Sequence, residues 1–306
     1  AWWYSAQISA LSVNDNCVDF IVTPGLLGKP AKIKTIPKSN YFKIINNSIT
    51  TNDTSNFIKF EINRDWKNNT NSFTVSGNIL SISDKDTLFR NIHDPTRFTG
   101  QLFQQMLFKK GKKINSIKKG AVTQEAKLIT FHKSKPLLPI IENLMVKSDN
   151  LTAELLIKTL GFEANKKEGN WKNGLEEVRK FINDSVGIDT ANFSIQDGSG
   201  VSRYNYGSPS QYIDLLKWAY NNEDIRDQFI NTLPNSTPEG VLNKRGLPNK
   251  VYAKTGSLSG VTTLSGYIFT NSGEIVVFSI LMNGFKGDSL PYKKLQDKIV
   301  SALSTI

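Results

Sequence analysis

Ser148-Asp149-Asn150, in MVKSDNLTAELL, and Lys254-Thr255-Gly256, in VYAKTGSLSGV, are the residues of this chain whose types suit amide chemistry. Taken alone, Ser-Asp-Asn reads as the end of one helix and the cap of the next, because short polar side chains compete for backbone hydrogen bonds. A lysine opening a strand is equally ordinary. Together they offer more. The hydroxyl of Ser148 can relay a proton to a leaving amine. Asn150 both donates and accepts, so it can hold a substrate amide and a neighbouring lysine. Lys254 supplies positive charge near the relay serine and a substrate carboxylate, which Thr255 can hydrogen-bond. Gly256 lets a substrate lie against the strand as an added β-partner. The backbone N–H of Ser257 is then half of an oxyanion hole.

Composition narrows the choice. The 306 residues contain one cysteine, Cys17, and two histidines, His93 and His132. An internal disulfide framework is excluded, and a conventional zinc site has almost no raw material, so no metal and no cofactor are expected. A Ser-His-Asp triad is as poorly supplied, and no G-x-S-x-G elbow occurs. A lysine of lowered pKa must replace histidine as the base. The longest apolar run, IVVFSILM at 275–282, is too short to span a bilayer. No signal peptide is visible and the first residue is Ala1, which reads as a processed product or a piece of a longer chain. The net charge of +11 is densest in FKKGKKINSIKKG at 108–120. We read this cluster as a solvated loop, with attraction to a polyanion as the alternative. The lysines are not interleaved with aromatics or arginine, so no nucleic-acid partner is expected.

The elements that must position these residues fall into two regions. Residues 1–125 read as β-rich: AQISALSV and CVDFIVTP flank a hairpin turn at NDN, and YFKIINNSITT, FIKFEINRD and SFTVSGNILSIS continue the pattern. A helix opens at Asp94-Pro95. Residues 126–306 turn helix-rich, with helices expected at 136–147, 149–160, 173–186, 209–221 and 224–232 and a closing one near 288–304. Between the last two lie apolar, β-branched runs around Asn271-Ser272-Gly273, read as an antiparallel hairpin that is central in a sheet because its second strand is apolar on both faces.

S-D-N followed by K-T-G belongs to the motif set of penicillin-binding proteins and class A β-lactamases. The segments SALSVNDNCVDFIVTPG, MVKSDNLTAELLIKTLG, DGSGVSRYNYGSP, AKTGSLSGVTTLSGYI and FSILMNGF make the likeness narrower. In this order they resemble the penicillin-binding protein 4 type of D-alanyl-D-alanine carboxypeptidase/endopeptidase, the peptidase S13 family, over nearly the whole chain. The resemblance implies an α+β fold: a β-lactamase/transpeptidase-like antiparallel sheet flanked by helices, preceded by a β-rich inserted domain. It implies cleavage of peptidoglycan stem peptides through an acyl-enzyme, acylation by β-lactam antibiotics and a place in the periplasm or outside the cytoplasmic membrane. Val201, Arg203 and Leu258 would border the pocket for the substrate side chain, with Ser202 between the first two. Asp197-Gly198-Ser199-Gly200 reads as a tight turn.

The family's nucleophile, the Ser of Ser-x-x-Lys, is expected well upstream of S-D-N, ahead of the inserted domain in which this chain begins. The one match here, Ser116-Ile117-Lys118-Lys119, lies in a polar stretch with no apolar helix to bury its lysine. The chain is therefore expected to carry two of three catalytic motifs and to be inactive alone. A non-catalytic peptidoglycan-binding or regulatory relative is the alternative reading. A β-lactamase is disfavoured by the β-rich region ahead of S-D-N and by the lack of a Glu-bearing deacylation loop after it.

Overall fold

The computed structural model describes residues 2–248 and 250–306. They divide into two compact units, residues 1–130 and 131–306. The first holds strands β1 (Cys17–Thr23), β2 (Lys32–Ile36), β3 (Lys43–Asn46), β4 (Ile49–Thr51), β5 (Glu61–Arg64), β6 (Ser72–Ser76), β7 (Asn78–Leu80) and β8 (Asp86–Asn91), then helix α1 (Pro95–Lys109). The strands form small sheets in the orders β2-β1-β8, β3-β6-β5 and β4-β7. In β1, period-two alternation sends Val18, Phe20 and Val22 into one core with Ile62, Phe73, Val75 and Phe98. Gly77 links β6 to β7 at φ 87°, and a Cβ there would lie 2.1 Å from the Lys59 carbonyl oxygen. Only glycine fits.

The turn at Asn14-Asp15-Asn16 is real, but it does not join two strands. All three residues take φ near +50° and lead into β1, and residues 6–13 form no strand. Asn16 is buried, its amide donating to Gln7 O at 2.9 Å and to Ser12 Oγ at 3.0 Å. Bonds from the Asn16 amide back to the preceding coil, rather than a second β-ladder, thus hold this segment.

The second unit begins with α2 (Leu137–Lys147), α3 (Asn150–Asn165) and α4 (Trp171–Phe181), the last running into a π-helical turn at Ile182–Val186. It continues with α5 (Pro209–Asn221), α6 (Arg226–Thr232), β9 (Val251–Leu258), β10 (Val261–Phe269), β11 (Ile275–Asn283) and α7 (Leu290–Leu303). Ser208 caps α5 in a capping box with Gln211, and Pro209 occupies the first turn. The three strands form an antiparallel sheet in the order β11-β10-β9. The expected hairpin around Asn271-Ser272-Gly273 is present as β10 and β11, but its first run is two strands rather than one. Ser259-Gly260, with Gly260 at φ 73°, is a two-residue turn that breaks the first long run into β9 and β10. The first strand of that hairpin, β10, is the middle one of the three.

Each face of this sheet has its own core. Val251, Ala253, Leu264, Ile268 and Phe278 pack with Val300 of α7. Tyr267 packs on the opposite face with Leu216, Ile230 and Leu233, its hydroxyl donating to Leu216 O at 2.7 Å. Helices α3 and α4 approach closely because glycines line their contact: a Cβ on Gly174 would sit 2.0 Å from the Ile157 carbonyl oxygen. Gly174→Ala should therefore lower the unfolding free energy by about 1–3 kcal/mol through overpacking. Urea unfolding measures it, and an unchanged midpoint would mean that the two helices can separate freely.

Candidate active site

The S-D-N tripeptide divides its labour by position. Asp149 is the cap: its carboxylate accepts from Leu151 N at 3.0 Å, Thr152 N at 3.3 Å and the Thr152 hydroxyl. Ser148 ends α2 in the left-handed conformation, φ 53° and ψ 51°, and its N–H and that of Asp149 converge on Leu144 O. Asn150 starts α3. One residue thus satisfies the helix N-terminus, and its two neighbours are left to project from the break. A left-handed serine costs on the order of 1 kcal/mol relative to glycine, a local strain that the fold retains here.

Opposite this break stands β9. Lys254 Nζ donates to Ser148 Oγ and, at 3.1 Å, to the carbonyl oxygen of Thr255. The two motifs thus meet, side chain to side chain. Burial pushes the Lys254 ammonium below the ordinary lysine value of 10.5, because the charged form loses solvation there. Lysine and serine so coupled can pass a proton between them.

Alternation along β9 settles where its other groups point. Lys254, Gly256 and Leu258 share the face of Tyr252, whereas Thr255 and Ser257 share that of buried Val251 and Ala253. Lys254 and Thr255 therefore direct their side chains to opposite faces. The backbone follows the same period: Ala253 N donates to Pro234 O at 2.8 Å, on the side away from β10. Thr255 and Ser257 accordingly turn their N–H and C=O groups to that same edge. Among the described residues, no strand is paired with this edge after Ala253. An open ladder edge next to a lysine–serine pair can receive an extended peptide. Gly256 faces Thr263 of β10, whose Oγ1 would lie 2.5 Å from a Cβ. Glycine is needed there for sheet packing as well as for access.

The loop 197–205 closes the arrangement. Asp197 builds its turn, accepting from Gly200 N and Asn205 Nδ2, each at 2.8 Å, and from Ser202 N. Val201 is partly buried, and Arg203 donates through Nη2 to Ser259 O at 2.8 Å, in the turn after Leu258. Sequence reasoning missed Glu154, a carboxylate one helical turn after Asn150 and 6% exposed. Its only sequence signal was an acid flanked by Ala153 and Leu155 on the first turns of α3. Among the described residues, no group of histidine, cysteine and acidic side chains could hold a metal ion, and no helix is long and apolar enough to cross a membrane.

Ser116 lies in irregular chain, and Lys119 is ion-paired to Asp94 at 2.9 Å with its side chain 64% exposed.

The lowered Lys254 pKa has a stability consequence. Between that lowered value and 10.5 the unfolded chain binds the proton that the folded chain has lost, so stability rises with pH across this window. Urea unfolding at pH 7 to 10 should show wild-type protein gaining on Lys254→Met as pH rises. A constant difference would mean that Lys254 titrates like a solvated lysine.

Relatives can be weighed against this geometry. Over 94% of this chain there is 30% identity to a D-alanyl-D-alanine carboxypeptidase of Actinomadura sp. (strain R39), 57% of which is covered. A 58% stretch is 32% identical to D-alanyl-D-alanine carboxypeptidase DacB of Haemophilus influenzae, covering 38% of that protein. The chain thus spans less than two thirds of the length of either. The crystal structure of penicillin binding protein 4 (dacB) from H. influenzae, complexed with a β-lactam, superposes with a TM-score of 0.79. At 24% identity it covers 99% of this chain and 73% of that one, which shows a shared fold. The family model of the D-Ala-D-Ala carboxypeptidase 3 (S13) family matches residues 2–306. With its S-D-N and K-T-G motifs joined across the sheet edge and the family pattern running almost end to end, this chain belongs to the D-Ala-D-Ala carboxypeptidase 3 (S13) family.

Proposed function

We propose that the protein to which this chain belongs is a serine-type D-Ala-D-Ala carboxypeptidase/endopeptidase of peptidoglycan stem peptides that works through an acyl-enzyme and is acylated by β-lactams. The observation that carries this reading is the Lys254–Ser148 hydrogen bond beside the open edge of β9. The nucleophilic serine belongs to a Ser-x-x-Lys outside these residues; the exposure and ion pairing of Lys119 support this over Ser116. This chain alone is then inactive. Residues 1–125 are part of a β-rich inserted domain, and residues 126–306 are part of the catalytic domain. Because the substrate lies outside the cytoplasmic membrane, so does the enzyme.

In the acylation step the nucleophile, giving its proton to the lysine of its own Ser-x-x-Lys, attacks the carbonyl carbon of the penultimate D-Ala, and the oxyanion accepts from Ser257 N–H. The C–N bond then breaks. Ser148 gives its proton to the departing amine and regains one through Lys254, and water later hydrolyses the ester. Asn150 orients the substrate amide. Lys254 holds the terminal carboxylate from its own face of β9, and Thr255, on the other face, reaches it over the open strand edge. Gly256, Leu258, Val201 and Arg203 border the substrate.

Full-length protein incubated with a fluorescent penicillin should form a covalent adduct, and Ser148→Gly should slow its formation by about a hundredfold or more. Glycine is the informative replacement, since it suits the left-handed backbone at 148 and spares the fold. Unlabelled full-length protein, or an adduct mapped to Ser116, would contradict the proposal.

A further inference from the structure

Glu154 does no work in that mechanism, yet it is among the most heavily bonded side chains of the second unit. Its Oε1 accepts from Ser199 N at 3.0 Å and from Ser199 Oγ at 2.5 Å. Its Oε2 accepts from Gly198 N at 3.1 Å and from Trp171 Nε1 at 2.6 Å. A buried carboxylate with donors on both oxygens is a strong, directional clamp. The clamp is placed four residues after Asn150, on the same face of α3.

What it clamps is the near end of loop 197–203. Gly198 lies so close to α3 that a Cβ would be 2.7 Å from the Ala153 carbonyl oxygen. The far end of the loop is tied by Arg203 to Ser259, the turn residue that follows β9. The loop is thus a strap from the S-D-N helix to the K-T-G strand, and its middle carries Val201. Trp171 also leans on this assembly: Lys158 Nζ sits 4.1 Å from its ring centroid, so α3 and α4 both support the carboxylate.

We propose that Glu154 is a positioning residue that fixes the Val201–Arg203 wall relative to Asn150 and so sets how well the substrate side chain is held. The assignment rests on the function proposed above. Glu154 touches no substrate. Its effect is on binding, because the strap borders the site without entering the Ser148–Lys254 proton path.

The isosteric Glu154→Gln is the decisive variant. It leaves no cavity, but its amide nitrogen cannot accept, so two of the four donors lose their partner. In full-length protein we expect Glu154→Gln to raise KM for a D-Ala-D-Ala-terminated stem peptide about tenfold, with kcat changed less than about threefold. The Gly198 and Ser199 amides should exchange with deuterium faster. Trp171→Phe keeps the carboxylate-to-loop bonds and should change KM less than twofold. Unchanged KM and unchanged exchange in Glu154→Gln overturn the proposal, as does a fall in kcat matching a loss of active fraction at constant KM. Wild-type protein that neither turns over peptide nor takes up penicillin overturns the proposed function instead. Exchange at Gly198 and Ser199 then judges the clamp alone, and unchanged protection in Glu154→Gln refutes it.

Discussion

The Lys254–Ser148 hydrogen bond is the contact that the remaining architecture is arranged to make. It joins a strand to a helix break from which it is separated by most of the second unit's chain. For the two side chains to meet, β9 must present Lys254 on the face that looks toward α2 and α3, and α2 must stop at residue 148. The first condition is met by anchoring the odd residues Val251 and Ala253 in the α7-side core, which turns the even ones outward. A one-residue slip in the register of β9 would bury Lys254 and expose Ala253. The second is met by Asp149, which starts a new helix at once and so forces the turn at Ser148.

The same contact is kept at a cost in stability. A lysine is held where its charge is poorly solvated, and a serine is held in the left-handed region. Neither is what a packing argument alone would choose. Around them the structure is conventional: two apolar faces of one sheet, close helix pairs lined by glycine, and caps at the helix starts. Left-handed backbone also occurs at Lys166 and Lys250 of this unit, but at Ser148 it falls on a group that does chemistry, with well-packed supports behind it. Glu154 and the 197–203 strap extend that support around the site, one end on α3 and the other on the turn after β9.

How far the sequence was legible follows from which signals are local. The helix starts at Asp94-Pro95 and Ser208-Pro209 were readable because cap chemistry is written within four residues. The α+β class and the pairing of S-D-N with K-T-G were readable from motif order. The break at Ser259-Gly260 was not: it sits inside one continuous β-forming run, and a serine-glycine pair carries a weaker turn signal than asparagine-glycine. Missing it merged β9 and β10 into one run. Asn14-Asp15-Asn16 was readable as a turn but not as a turn without a partner strand, since a side chain bonding back to coil leaves no periodic pattern. Glu154 was illegible because its donors Trp171, Gly198 and Ser199 lie far along the chain.

The central claim is that Ser148 and Lys254 act as one proton-transfer unit, and a double-mutant cycle on penicillin acylation of the full-length protein tests it most directly. Ser148→Gly, Lys254→Met and the double variant would be compared with wild type by stopped-flow fluorescence. A unit predicts that the double variant is no slower than the slower single one, within about threefold. Losses that multiply would mean that the two residues act independently and that their hydrogen bond is only structural.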